Sequence, residues 1–117
     1  MRIDHFAVDA AKLSETVKWY VEQFGATVLY EDESWAFLRV GGSKIALLTP
    51  GQHPPHVAFS ATEAELAILS ARHNKTIKVH RDGTSSIYIH DPSGNAVEFI
   101  SYPPGHAYQK QERGDQE

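Results

Sequence analysis

The stretch HVAF at His56–Phe59 repeats the stretch HFAV at His5–Val8, and the two histidines are 51 positions apart. In both stretches a histidine opens an alternation of side chains that is typical of a β-strand. A helix-like segment and three further strand-like segments follow each of them. A repeat of units this long indicates duplication, so the sequence predicts two βαβββ modules.

The first module is predicted from hydrophobic periodicity. Alternation and β-branched or aromatic content indicate its strands, and apolar side chains at helical spacing before Gly25 indicate its helix. The predicted strands are Arg2–Val8, Thr27–Asp32, Trp35–Val40 and Lys44–Leu48, and the helix is Lys12–Phe24.

The second module follows a linker at about residues 50–55, where prolines and a glycine favour turns. Thr62 and Glu65 have the spacing of a capping box, which predicts a helix from Thr62 to about Asn74. The predicted strands are His56–Ser60, Thr76–Arg81, Ser86–His90 and Ala96–Tyr102. We expect an α+β fold in one domain, residues 1–102. Its modules, 1–50 and 55–102, form a strand-lined cup with helices outside, and 103–117 is a polar C-terminal tail.

Composition narrows the possible partners. The 117 residues are 41% hydrophobic and 22% charged, and no apolar run approaches the roughly 18 residues that a membrane span needs. Charges at the start of the chain replace the apolar core of a signal peptide, so we expect a cytoplasmic protein. A net charge of −4 disfavours nucleic acid as a partner. Because the chain has no cysteine, a bound metal must have nitrogen and oxygen ligands.

Strand alternation assigns side chains to two faces. Val97 and Phe99, and likewise Phe6 and Val8, are predicted to pack beneath the helices. His5, His56 and Glu98 then face the cup. Burying a carboxylate costs several kcal/mol unless it is paired, protonated or metal-bound.

Two imidazoles and one carboxylate form a site for Fe²⁺, Mn²⁺, Zn²⁺, Co²⁺ or Ni²⁺. The alternative is that the histidines are ordinary half-buried residues and that Glu98 pairs with Lys78 or Arg39.

These residues and the stretch IYIHDPSGNAVE at Ile87–Glu98 resemble the vicinal oxygen chelate superfamily over residues 2–102. The superfamily includes glyoxalase-type lyases, extradiol ring-cleaving dioxygenases, fosfomycin-modifying thiol transferases and bleomycin-binding proteins. The resemblance implies that His5, His56 and Glu98 are metal ligands. Glyoxalase-type members carry a fourth ligand on the last strand of the first module. That strand has no carboxylate here and Ala46 occupies the place, which leaves the site open for substrate chelation.

The resemblance also implies catalytic residues. Tyr88, ten positions before Glu98, and His80 are placed as in the extradiol enzymes. Extradiol enzymes carry an acid-base histidine well before the second metal ligand. The corresponding region here reads VGGS at Val40–Ser43, so that histidine is missing. His53 is the nearest candidate, but its spacing differs.

The sequence interpretation is therefore a divalent-metal-dependent enzyme, most like an extradiol-type dioxygenase, that uses Fe²⁺ or Mn²⁺. The alternatives are a glyoxalase-type lyase, a fosfomycin-type thiol transferase, or a non-catalytic small-molecule binding or resistance protein. We expect a homodimer in which the cup forms within one chain or by exchange between two. The predicted substrate-binding residues are Trp35, Phe37, Arg39, Lys78, Ser86 and His90.

Overall fold

The structure, a computed structural model, describes residues 1–106 and residue 108. Its elements follow the predicted order, β-α-β-β-β twice. The strands are β1 (Arg2–Asp9), β2 (Thr27–Glu31), β3 (Trp35–Val40), β4 (Ser43–Leu48), β5 (His56–Ser60), β6 (Lys78–Val79), β7 (Ser85–His90) and β8 (Ala96–Ser101); the helices are α1 (Leu13–Phe24) and α2 (Glu63–His73).

Within this part of the chain the eight strands form one mixed sheet in the order β2-β3-β4-β1-β5-β8-β7-β6. Each module contributes four adjacent strands, with its first strand parallel to its last. The modules meet where β1 pairs antiparallel with β5. This arrangement confirms the predicted α+β fold of two βαβββ modules around a cup.

The helix ends follow local sequence signals. Helix α1 ends at Gly25, whose φ of 66° is a left-handed conformation that glycine adopts without steric cost. Helix α2 begins after Thr62, which forms the predicted capping box with Glu65. The predicted strand Thr76–Arg81 is wrong in extent, because only Lys78 and Val79 pair with β7 at the edge of the sheet.

The outer face of the sheet is covered only at its flanks. Helix α1 packs on β3 and β4, and α2 packs on β7 and β8. On the central strand β1, Phe6 and Val8 are 46% and 37% exposed, so the prediction that they pack beneath the helices is wrong. Each helix lies over its own module and leaves the junction of the modules open. No helix in the described residues is long and apolar enough to cross a membrane.

Candidate metal centre

His5, His56 and Glu98 meet on the concave face near the junction of the two modules. The Nε2 atom of His5 lies 3.4 Å from Glu98 Oε1, and His56 Nε2 lies 3.3 Å from the same oxygen. One ligand atom from each residue lies within 4.8 Å of the others. Ligands at right angles on one ion, with metal–ligand distances near 2.1 Å, are separated by about 3 Å. The structure thus brings the three predicted ligands together at a separation close to that of a shared ion.

Hydrogen bonds fix the orientation of both imidazole rings. His5 Nδ1 lies 2.7 Å from Asp4 Oδ2, and His56 Nδ1 lies 2.9 Å from the carbonyl oxygen of Pro54. Carboxylate and carbonyl oxygens accept hydrogen bonds, so each Nδ1 donates its proton. Each Nε2 therefore faces Glu98, and a ring in its neutral form would present the Nε2 lone pair there, as metal-ligating histidines require.

The electrostatics of the three groups favour a cation among them. Burial alone raises the pKa of Glu98, but hydrogen bonds and charge interactions with His5 and His56 outweigh it and hold the pKa of Glu98 far below its usual range. Burial lowers the pKa of His5, but Asp4 and Glu98 reverse this effect and raise the pKa of His5 above its ordinary value. Two lone pairs and a carboxylate repel one another unless a proton or a metal ion lies between them. The donor set therefore fits a divalent cation.

A buried ionic network lies behind His5, and the sequence interpretation missed it. The strand register shifts between Ile3 and His5, so a bulge lets the adjacent side chains of Asp4 and His5 contact each other. Asp4 also accepts a hydrogen bond from the Tyr102 hydroxyl at 2.7 Å and lies 3.0 Å from the Nζ of fully buried Lys44. Burial raises the pKa of Asp4, but the His5 hydrogen bond and the Lys44 charge outweigh it and lower the pKa of Asp4.

The strand register shows which residue occupies the fourth place of the duplicated site. In the second module Glu98 pairs with Ala58, two positions after His56. In the first module Ala7, two positions after His5, pairs with Ala46. Ala46 is thus the internal counterpart of Glu98, and its methyl group supplies no ligand atom.

The ligands border a cavity of about 580 Å³, a volume typical of small-molecule sites. Aromatic rings dominate its wall, and Trp35 and Phe37 lie there as predicted from the sequence. The other aromatic residues of the wall are Tyr30, Tyr88, Tyr102 and Tyr108. Tyr108 belongs to the predicted polar tail, yet its ring packs against Phe37 with centroids 5.1 Å apart. Most other residues of the tail lie outside the described residues.

Both residues that the sequence interpretation assigned to catalysis line the cavity. Tyr88 pairs across the strands with Glu98 and contacts the His56 ring edge-on, with centroids 5.3 Å apart. Burial, together with the charge of Glu98 and a hydrogen bond to it, raises the pKa of Tyr88 far above its ordinary value. His80 Nε2 lies 2.7 Å from Ser86 Oγ. His53, which the sequence interpretation left without a role, stacks on Tyr88.

Four predicted substrate-binding residues do not line this cavity: Arg39, Lys78, Ser86 and His90. Arg39 pairs with Thr27 and Lys44, near the turn that ends β3. Lys78 is exposed on the edge strand, and His90 is exposed at the end of β7. Ser86 is buried in contact with His80. Strand alternation alone had placed these four residues on the concave side, but alternation does not indicate how far along a strand a residue lies from the candidate metal centre.

Two joined βαβββ modules around one cup, with two histidines and a carboxylate close together inside it, define the class of fold. A model of the Glyoxalase/Bleomycin resistance protein/Dioxygenase superfamily matches residues 2–99, and the chain belongs to this superfamily.

A curated relative, biphenyl-2,3-diol 1,2-dioxygenase 3 of Rhodococcus globerulus, is 27% identical over 117 residues. The match covers 84% of this chain and 62% of the relative, so the chain spans less than two thirds of that protein.

Solved structures share the fold at low identity. A hypothetical protein from Bacillus halodurans C-125 superposes with a TM-score of 0.68 at 20% identity, covering 87% of this chain and 94% of the other. Methylmalonyl-CoA epimerase from Mycobacterium tuberculosis has a TM-score of 0.67 at 20% identity, covering 92% and 91%. These likenesses support the fold alone.

Proposed function

We propose that the chain is a divalent-metal-dependent enzyme that chelates a small oxygenated substrate, and that it is an extradiol-type dioxygenase using Fe²⁺ or Mn²⁺. One observation carries the proposal: a three-ligand centre, with Ala46 in the fourth symmetric place, opens into an aromatic-lined cavity. The relative that acts on a biphenyl diol adds support. Zn²⁺, Ni²⁺ and Co²⁺ also suit these ligands.

In this proposal His5, His56 and Glu98 would hold the ion, which when bound would supply Lewis acidity to a chelated diol. Catechol and O₂ combine into one ring-opened product, so both oxygen atoms are incorporated and no external reductant is needed. Trp35 and Phe37 pack against the substrate ring. These two rings would therefore orient the diol.

Tyr88 is proposed to act at the substrate oxygen. Its hydroxyl is hydrogen-bonded to Glu98, and a substrate oxygen held beside Glu98 would take over as the acceptor of this one proton. His80 is proposed as a positioning residue, because its Nε2 is engaged with Ser86.

The alternative activities receive less support from the geometry. A glyoxalase-type lyase would need a fourth ligand where Ala46 stands. A fosfomycin-type thiol transferase would need several cationic side chains around an anion; Arg81 lines the cavity, but Lys78 and Arg39 lie outside its lining. A non-catalytic binding or resistance protein would use the same cavity without needing the ion. Metal content and turnover separate this last case from the enzyme.

The test is anaerobic loading with Fe²⁺, removal of excess metal, and addition of catechol or 2,3-dihydroxybiphenyl with measured oxygen uptake. We expect one ion per chain, one O₂ consumed per diol and a coloured ring-opened product. Glu98→Gln should lose both metal and turnover, whereas exposed Glu22→Gln should keep both. Stoichiometric metal without turnover on a diol panel would overturn the dioxygenase activity. The lack of stoichiometric metal would overturn the enzyme class.

We also propose that the chain forms a single domain with modules at 1–50 and 55–102, and that two chains form a homodimer. We propose a cytoplasmic location and a small molecule as the binding partner, rather than a nucleic acid or a membrane. The apolar side chains exposed on the outer face of β1, among them Phe6 and Val8, support self-association. Light scattering should give twice the mass of one chain, and Phe6→Glu should reduce it. A monomeric wild-type protein at micromolar concentration would contradict the dimer.

A further inference from the structure

Four histidines line the cavity, and three of them have engaged ring nitrogens. His5 and His56 use Nδ1 for Asp4 and Pro54, and both face Glu98 with Nε2. His80 uses Nε2 for Ser86. Within residues 1–106 and 108, neither ring nitrogen of His53 has a hydrogen-bond partner. His53 is also exposed to solvent.

The linker that carries His53 is anchored on both sides. Before it, the Gln52 side-chain amide donates to the carbonyl oxygen of Ser34 at 2.6 Å and to the hydroxyl of Thr49 at 2.7 Å. After it, the carbonyl oxygen of Pro54 accepts the hydrogen bond from His56 Nδ1. These anchors hold His53 at the cavity although its sequence spacing differs from that of the extradiol enzymes.

A stack of rings connects His53 with the candidate metal centre. The His53 and Tyr88 rings are nearly parallel, at 6°, with centroids 5.9 Å apart. Tyr88 in turn contacts the ring of His56 edge-on. The chain neighbours Gln52 and Pro54 carry no charge, and Tyr88 is the titratable side chain whose ring faces His53 from the sheet. A substrate bound at the ion would therefore lie beside Tyr88 and within the cavity that His53 lines.

We propose that His53 is a catalytic acid-base residue of this centre, which takes a hydroxyl proton from a chelated aromatic diol and returns it to the product. The inference rests on the proposed function and adds the proton acceptor that the chain otherwise lacks. The diol O–H bond breaks as its oxygen becomes anionic, and the proton moves to a ring nitrogen of His53. After O₂ is incorporated, the same proton passes to an oxygen of the ring-opened product, so protons and electrons balance.

The test compares His53→Gln with a matched control, His73→Gln, which removes an exposed histidine at the end of α2. Thermal unfolding and bound Fe²⁺ should match wild type in both variants. In turnover of 2,3-dihydroxybiphenyl, His53→Gln should lower kcat by about 10²-fold or more with KM changed less than about threefold, the loss expected for a proton-transfer group. Its pH profile should lose one limb, and added imidazole should restore part of the rate.

A second measurement does not depend on turnover. Stopped-flow absorbance under anaerobic conditions follows the ionisation of 4-nitrocatechol as it binds the Fe²⁺-loaded protein, and His53→Gln should slow this step about tenfold or more. If His53→Gln slows ionisation of the probe but the wild-type protein turns over no diol, the role of His53 is retained and the dioxygenase activity is rejected. Equal ionisation rates, kcat and pH profiles in the two variants would overturn the role of His53 and leave the dioxygenase proposal intact. Metal-loaded protein that neither ionises the probe nor turns over a diol would overturn both.

Discussion

His5 and His56 are held at Nδ1 by acceptors of different charge. His56 donates to the neutral carbonyl of Pro54, whereas His5 donates to the carboxylate of Asp4. A carboxylate acceptor makes the imidazole a stronger electron donor, and such partners typically change metal affinity 10–100-fold when they are removed. The two candidate histidine ligands therefore differ in their acceptors, although the duplication places them at equivalent positions.

Asp4→Asn should weaken metal binding about 10–100-fold, because an amide oxygen supports the Nδ1 proton of His5 without a negative charge. Asp9→Asn, an exposed change on the same strand, is the control. The measurement is Zn²⁺ affinity by competition with a chelating dye. An affinity equal to that of the control would show that Asp4 does not tune the site.

Asp4→Asn also removes the carboxylate beside the buried Lys44 ammonium. Removing one charge of a buried ion pair lowers the free energy of unfolding by about 3–5 kcal/mol. The double variant Asp4→Asn/Lys44→Met should recover most of this loss while its metal affinity stays low. Urea unfolding distinguishes a tuning role from a general loss of structure.

The helix caps show what was locally predictable. The capping box of α2 depends on residues three positions apart, so the sequence contained it in full. The bulge at Asp4 depends on the register between β1 and β5, and the residue pairs that flank it are more than 50 positions apart in the sequence. Its partners Lys44 and Tyr102 come from two further segments, so local patterns could not reveal the network.

Thr62→Ala should lower the unfolding free energy by about 1 kcal/mol, because the backbone N–H of Glu65 loses its acceptor. Thr76→Ala, at an exposed loop position, is the control and should stay within about 0.5 kcal/mol of wild type. Urea unfolding monitored by circular dichroism measures both. Metal affinity should not change in either variant, since α2 lies outside the cup.

Asp32 organises the turn between β2 and β3. Its carboxylate accepts hydrogen bonds from the Tyr30 hydroxyl and from the backbone N–H groups of Ser34 and Trp35, which lower the pKa of Asp32 to about 2. A lowered pKa contributes stability that is present above the unfolded-state value near 3.9 and is lost as pH falls through about 2. NMR titration of the carboxyl carbon should therefore give a midpoint near 2. A midpoint near 3.9 would contradict this turn geometry.

At the scale of the whole molecule, the duplication and its cup were predictable because hydrophobic periodicity indicates the same β-α-β-β-β order in each module. Which chains build the cup was not predictable, since a short linker is compatible with closure within one chain or with exchange. In the structure β1 pairs with β5 of the same chain, so His5, His56 and Glu98 come from one chain. The predicted roles of Arg39 and Lys78 depended on position along a strand, which alternation does not determine.

The duplication also predicts what a fourth ligand would do. Ala46→Glu places a carboxylate at the counterpart of Glu98, so the ion should bind more tightly while a chelating diol loses a position. We expect higher Zn²⁺ affinity, and at least tenfold weaker 4-nitrocatechol binding, than in the matched variant Ala46→Gln. Measuring both variants separates the effect of ligation from the cost of placing a larger side chain at this buried position. Equal binding of both ligands by the two variants would argue against the internal symmetry of the centre.

The junction of β1 and β5 has a consequence for how the protein unfolds. His5 lies in the first module, and His56 and Glu98 lie in the second, so an ion bound by all three would join the two modules across the β1–β5 junction. An ion that binds only the assembled halves stabilises them together. Metal-loaded protein should therefore melt in a single cooperative transition, whereas chelation should let the two halves separate and lose structure at different temperatures.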